Sequence, residues 1–298
     1  MSSKNRTPAL PQPEPTPAAL PPLTVGRAAL EILRPVNCTI TFCSVLLGGW
    51  LGSHDLPLPL LLAGLSAALL TGGGNALNDL CGIQEDRINK PGRPLPANRL
   101  PLWLARQETL LALVAGLAIS LYLPAPAPLI ALFATAGLIL YNLRFKKIPL
   151  LGNLTVSLLG GLAFLYGGAA VNALFPALLP ALFAFLYHLG RELLKDLEDR
   201  AGDRVLNGNT VPLRWGHGKT CVLITGVYAV LITGMPLPWL VGALGLPYLT
   251  CVSALTLLLT YVVVTLWRTR EPQSLRRLSH LLKAGMVLGL CAFLFDTL

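Results

Sequence analysis

Nine apolar stretches divide the chain between residues 35 and 297. They run roughly over 35–52, 57–80, 102–122, 126–143, 151–170, 174–195, 219–235, 238–266 and 279–297, with polar or Pro-rich breaks between them. A helix needs about 20 apolar residues to cross a hydrocarbon core roughly 30 Å thick. In lipid the backbone must satisfy its own hydrogen bonds, which leaves helices as the spanning form for segments of this length. The fold class read from this is all-α: a polytopic membrane protein with a nine-helix bundle. Composition agrees, because only 12% of residues are charged, about half the share usual in a soluble domain.

The breaks alternate in kind. Those near 53–57, 122–126, 171–175 and 235–238 are short, rich in Pro and small residues, and free of Lys and Arg. All 23 Lys and Arg lie at the N-terminus, around the other breaks and at the adjoining segment ends. Nine spans therefore put every base on one side, which the positive-inside rule assigns to the cytoplasm. The expectation is a cell-membrane protein with a cytoplasmic N-terminus and an outside C-terminus. The net charge of +9 is thereby explained by topology, and nucleic acid is not expected as a partner. Residues 1–25, polar and Pro-rich with no apolar core, read as a disordered tail rather than a signal peptide, leaving 26–298 as the membrane domain. Six scattered cysteines without a C-x-x-C pair read as buried thiols.

Two acidic clusters break the apolar pattern, each where an even-numbered span reaches the basic side. In "NALNDLCGIQEDRINKPGRPLP" Asp79, Gly82 and Asp86 fall at i, i+3 and i+7; in "GRELLKDLEDRAGD" Asp196, Asp199 and Asp203 repeat that spacing. Such offsets share one helical face. One cluster alone reads equally well as a solvated helix end. Two of matched spacing, four spans apart, read as a weak internal duplication and a divided site. Carboxylates without His or Cys suit a hard cation, with Mg²⁺ the best fit. The neighbouring bases make sense if a polyanion such as a diphosphate is held between metal and Arg/Lys. Other features carry less. "WGHGKT" at 215–220 lacks the first Gly of a phosphate loop and reads as the entry to span seven. His188, on the face of Asp199, reads as a packed bundle residue before a site residue.

On these residues the chain resembles the UbiA superfamily of intramembrane prenyltransferases. The resemblance rests on "NDLCGIQED", "DLEDRAGD", "LRPVN" (Arg34, Pro35, Asn37), "INKPGRPLP" and "YNLRFKKIPLLGNL", and covers nearly all of the chain after the tail. It implies a nine-helix bundle in which Asp79, Asp86, Asp196, Asp199 and Asp203 bind Mg²⁺ bridging the diphosphate of a polyprenyl donor. Asn78 would position the first aspartate or a metal-bound water, and Arg93, Lys146 and Arg191 would contact the diphosphate. The isoprenoid tail would lie between helices, towards membrane lipid. The "PLLGN" and "KDLEDRAGDRVLNGNTVPLRWG" stretches are most similar to the branch that transfers geranylgeranyl groups to geranylgeranylglycerol phosphate. Arg34 and the "RFKK" bases Arg144, Lys146 and Lys147 are then candidates for that acceptor's phosphate, beside a plain role in setting topology. An aromatic acceptor, or a non-catalytic protein of the same fold, are the competing readings. Gly82 stands where the family has its middle acid. A weakened first metal site, rescue by Glu85 or water, and lost activity all remain open at this point.

Overall fold

The computed structural model describes residues 22–205 and 208–297; most of the tail read over 1–25 lies outside them. Among the described residues all regular structure is helical. The helices are α1 (Pro22–Leu33), α2 (Pro35–Ser53), α3 (Leu58–Cys81), α4 (Ile83–Asn89), α5 (Leu102–Ser120), α6 (Ala127–Leu143) and α7 (Leu151–Ala170). After them come α8 (Leu174–Val205), α9 (Val211–Arg214), α10 (Gly216–Gly234), α11 (Leu237–Leu240), α12 (Leu246–Arg268) and α13 (Pro272–Thr297). Eight of the apolar helices, α10 being extended through α11, are long enough to cross a membrane. The ninth, α6, has 17 residues, about 26 Å at 1.5 Å per residue, close to the core thickness.

Helix starts and breaks follow local chemistry. Pro at the first turn opens α2, α3, α6 and α12, where its missing N–H costs nothing. The stretch read as one span over 238–266 divides: α11 and a turn ending at Gly245 occupy its first residues, and α12 begins at Leu246. Two pre-proline segments and Gly242, at φ 73, stop the helix there. The last span starts earlier than its apolar pattern, at Pro272, because a polar segment carrying Gln273, Ser274, Arg276 and Arg277 continues the helix ahead of the apolar run.

Three hydrophobic clusters are present, a small one joining α1, α3, α5 and the 90–101 segment and two large ones that form the bundle. Of the large ones, one joins α8, α10, α12 and α13; the other joins α2, α3, α5, α6 and α7, and α2 and α7 contribute to both. Backbones close to the point of contact weld α2 to α7: a Cβ on Gly167 would overlap the Val45 carbonyl, and one on Gly48 would overlap that of Phe164. Such small-residue contacts suit lipid, where association relies on close packing. Ser66 ties three helices, donating to Gly116 O at 2.7 Å and sharing a 2.8 Å hydrogen bond with Tyr166. The charged ends of α3 and α8 meet at one end of this frame, covered by α1, α4 and the 90–101 segment.

Candidate active site

The first acidic row starts on the last turn of α3. Asp79 is buried, and its carboxylate accepts from the Arg34 guanidinium and from Arg93 Nη1 at 3.0 Å. The same Arg93 nitrogen donates to Asp86 Oδ2 at 2.6 Å, so one guanidinium spans both acids. Arg34 reaches in because it sits at φ 55 between α1 and Pro35, an uncommon backbone for a residue with a side chain. Asn75 holds that corner by donating to Leu33 O at 3.0 Å. Burial raises the Asp86 carboxyl above the usual carboxylate range, against the pull of Arg93, while the charge of Asp79 raises it further.

The second row lies on α8, where Asp196, Asp199 and Asp203 all face the same cleft. Asn153 of α7 donates to Asp196 at 2.9 Å, and Lys90 donates to Asp199 Oδ1 at 2.7 Å. Asn89 clasps the end of α8: its amide nitrogen donates to Asp199 O at 3.1 Å, and its amide oxygen accepts from Gly202 N–H at 3.0 Å. The rows thus face each other across a polar cleft of about 100 Å³.

Asn78, Asp86, Arg93, Arg34 and Lys146 line this cleft with the three α8 aspartates, whereas Asp79 sits behind Arg93. The structure does not bring Asn37, Arg144 or Arg191 to its wall. Arg144 is an exposed cap of α6, and Arg191 turns to Glu192 at 3.1 Å. Glu85, read from the sequence as a possible replacement for the missing acid, lines the cleft, and polar lining residues beyond those read from the sequence are Asn89, Lys90, Tyr141, Asn153, Glu192, Lys195 and Thr210. Glu192 precedes Asp196 by one turn, a spacing that marks it as a same-face acid.

At Gly82 the helix is interrupted between α3 and α4, although Gly82 N–H still reaches Asn78 O at 2.9 Å. A Cβ there would lie 3.3 Å from both Glu85 Oε2 and Lys146 Nζ. Glu85 and Lys146 form an ion pair. The carboxylate of Glu85 therefore occupies the space into which an acid at position 82 would project.

The donor set is made of oxygen: carboxylates and amides, without His or Cys on the cleft wall. No three His, Cys, Asp or Glu among the described residues converge tightly enough to hold a metal by themselves, and bases stand between the acids. This fits a Mg²⁺ shared with a bound phosphate group, the usual mode for that ion, rather than a protein-only cage. Along α8, one turn from Glu192, His188 lines a second and apolar cavity with Tyr187, Phe183, Phe164, Met286 and Leu290. His188 packs against Gly160, so it belongs to this cavity and not to the acidic cleft.

The profile of the UbiA prenyltransferase family matches residues 40–287. A digeranylgeranylglyceryl phosphate synthase from Methanopyrus kandleri is 36% identical over 276 residues, covering 91% of this chain and all of that protein. A solved structure of a digeranylgeranylglyceryl phosphate synthase superposes with a TM-score of 0.72 at 30% identity, covering 91% of this chain and 98% of the other. A UbiA homologue from Archaeoglobus fulgidus, solved with DMAPP and Mg²⁺, has a TM-score of 0.64 at 17% identity over 89% of this chain and 99% of its own. That likeness bears on the fold alone. From the profile match and these relatives together, the chain belongs to the UbiA prenyltransferase family.

Proposed function

We propose that the protein transfers a geranylgeranyl group from its diphosphate to the glycerol hydroxyl of geranylgeranylglycerol phosphate, releasing diphosphate. The observation that carries this reading is the meeting of two aspartate rows across one base-lined cleft, with an apolar cavity one helical turn away. The relatives named as digeranylgeranylglyceryl phosphate synthases support the choice of a lipid phosphate acceptor.

In this reading Asp86, Asp196, Asp199 and Asp203 would hold Mg²⁺ at the cleft, with Asp79 as the remaining donor behind Arg93. The ion supplies positive charge that stabilises the leaving diphosphate. Arg93, Lys90 and Lys146, fixed now by carboxylates, present charge-assisted donors to the same oxygens. The allylic carbon–oxygen bond breaks with its electron pair leaving on the diphosphate. The acceptor's hydroxyl oxygen then forms the new bond to carbon and releases its proton to water. Asn153 and Asn89 orient Asp196 and the end of α8, and the surrounding helices keep bulk water from the reacting carbon. The cleft and N-terminus face the cytoplasm of the cell membrane in this proposal, supported by the confinement of every Lys and Arg to alternate breaks.

The test is transfer by purified protein with Mg²⁺, a panel of prenyl diphosphates, and lipid phosphate and aromatic acceptors, with products weighed by mass spectrometry. Geranylgeranyl transfer to geranylgeranylglycerol phosphate is expected, and Asp196→Ala and Asp199→Ala are expected to abolish it while the bundle stays folded. Transfer to 4-hydroxybenzoate instead would overturn the acceptor assignment. Full activity in both variants would overturn the site.

A further inference from the structure

Two bases share one acid between the polar cleft and the apolar cavity. Buried Glu192 accepts from Arg191 Nη1 at 3.1 Å and from Lys195 Nζ at 2.8 Å. Arg191 keeps a buried Nε without a hydrogen-bond partner, on a side chain only 15% exposed. The Tyr228 hydroxyl is a second buried polar atom lacking a partner, on a ring packed against Gly190. From α13, Lys283 feels the charges of Arg191, Arg34 and Lys195. Arg34 is already paired with Asp79. Glu192 is thus shared between Arg191 and Lys195, and a buried charge without a full counter-ion is costly.

Arg191 and Lys283 each lie one helical turn from residues that line the apolar cavity. Arg191 follows His188 and Tyr187 by three and four residues on α8, and Lys283 precedes Met286 and Leu290 by three and seven on α13. All four of those neighbours line the apolar cavity, so each base stands about one turn along the same face. A ligand that meets both parts has a dianionic head and a hydrocarbon tail. A phosphate monoester carries about −1.5 to −2 at neutral pH, the sign and kind of charge that these bases can take. The donor's diphosphate has its own oxygen-lined cleft, from whose wall Arg191 and Lys283 are absent, while Lys195 lies on it at the boundary between the two parts.

We infer that Arg191 and Lys283, with Lys195 beside them, bind the phosphate of the lipid acceptor, whose chain enters the apolar cavity. This rests on the proposed lipid-acceptor reaction and names the subsite that makes the phosphate a requirement. It also moves acceptor recognition from the "RFKK" bases to α8 and α13.

The full chain in detergent provides the test, with Lys283→Met and the conservative Lys283→Arg. Loss of a charge-assisted bond is expected to raise KM for geranylgeranylglycerol phosphate at least about 10-fold in Lys283→Met. KM for geranylgeranyl diphosphate should stay within about 2-fold, and Lys283→Arg should recover most of the loss. The unphosphorylated lipid, geranylgeranylglycerol, should bind the wild type weakly and be indifferent to Lys283→Met. An increase confined to the donor's KM would overturn the inference, by assigning these bases to the diphosphate. Equal losses for phosphorylated and unphosphorylated lipid would overturn it as well. Calorimetric binding of geranylgeranylglycerol phosphate without donor separates the two readings. Lys283-dependent binding without any transfer would uphold the phosphate site and refute the reaction, and transfer with Lys283→Met unaffected would overturn the site alone.

Discussion

Gly82→Asp, Glu85→Gln and their combination form a cycle that asks whether Glu85 replaces the acid missing at position 82. The Cβ of a residue at 82 would lie 3.3 Å from Glu85 Oε2 and 3.3 Å from Lys146 Nζ. A carboxylate introduced there would sit about 4 Å from both, where each interaction is worth about 4 kcal/mol at an effective dielectric constant of about 20. Repulsion from Glu85 and attraction to Lys146 then nearly cancel. The backbone adds no barrier, since Gly82 has φ −107, open to any L residue. Gly82→Asp alone should change turnover by less than about 3-fold, within 0.7 kcal/mol or so. Glu85→Gln removes a charged partner from half-buried Lys146 and an anionic oxygen from the cleft, at a cost of about 1.5–3 kcal/mol, or a loss of roughly 10- to 100-fold. With both changes Lys146 regains a carboxylate and turnover should return to within about 3-fold of wild type. Steady-state transfer assays read the cycle, and Mn²⁺ titration by electron paramagnetic resonance in the presence of donor reads it independently of turnover. A 10-fold gain from Gly82→Asp alone would refute the reasoning, as would a double variant no better than Glu85→Gln.

Gly167→Leu should prevent the α2–α7 approach, because even a Cβ there overlaps the Val45 carbonyl; overpacking of this kind costs about 1–3 kcal/mol or more, read as a lower melting temperature in detergent. Tyr166→Phe removes the 2.8 Å bond to Ser66 and should cost about 1 kcal/mol by the same measurement, with little effect on donor KM. Arg99 holds the Glu31 carboxyl below its usual range through a two-pronged bond of 2.8 and 2.9 Å. That stability is present above the unfolded carboxylate's pKa and is lost as pH falls through the depressed folded value. Glu31→Gln should therefore cost about 0.2–1 kcal/mol at neutral pH, the range for an exposed pair, and differ little from the parent at a pH below the folded value.

The parts legible in the sequence are those fixed by distances along one helix or by the thickness of a bilayer. Apolar length marked the nine spans, and the confinement of Lys and Arg to alternate breaks made that count self-consistent. Helical period put Asp196, Asp199 and Asp203 on one face, as found in the cleft. The same period also places two neighbouring residues. Glu192 lies one turn before Asp196 and so falls on the cleft face. Arg191 falls about 110° from the mean direction of the three aspartates, away from the diphosphate it was expected to touch. Illegible were the contacts between segments more than a hundred residues apart, such as Lys90 with Asp199 and Asn89 with Gly202. No local pattern encodes them, because each side chain finds its partner only after α3 and α8 have packed into one bundle.

Two glycines within the acidic motifs show why such contacts matter. Read along the chain, Gly82 is a missing ligand and Gly202 a spacer in "DRAGD". In the folded molecule Gly82 interrupts the helix between α3 and α4, and α4 ends at Asn89 against the last turns of α8. A Cβ on Gly202 would overlap the Asn89 amide, so only a bare Cα lets that amide accept from Gly202 N–H and donate to Asp199 O. The Asn89 clasp sets the register of the second acidic row against the loop that carries Lys90 and Arg93. Arg93 in turn bridges the first row. The divided site is thus joined by three consecutive contacts in which the glycines make room and the bases carry charge. By this argument Gly202→Ala should impair transfer with every metal-facing carboxylate still in place: loss of activity with an unchanged melting temperature would mark the clasp as a positioning device, and full activity would show that the rows hold their register without it.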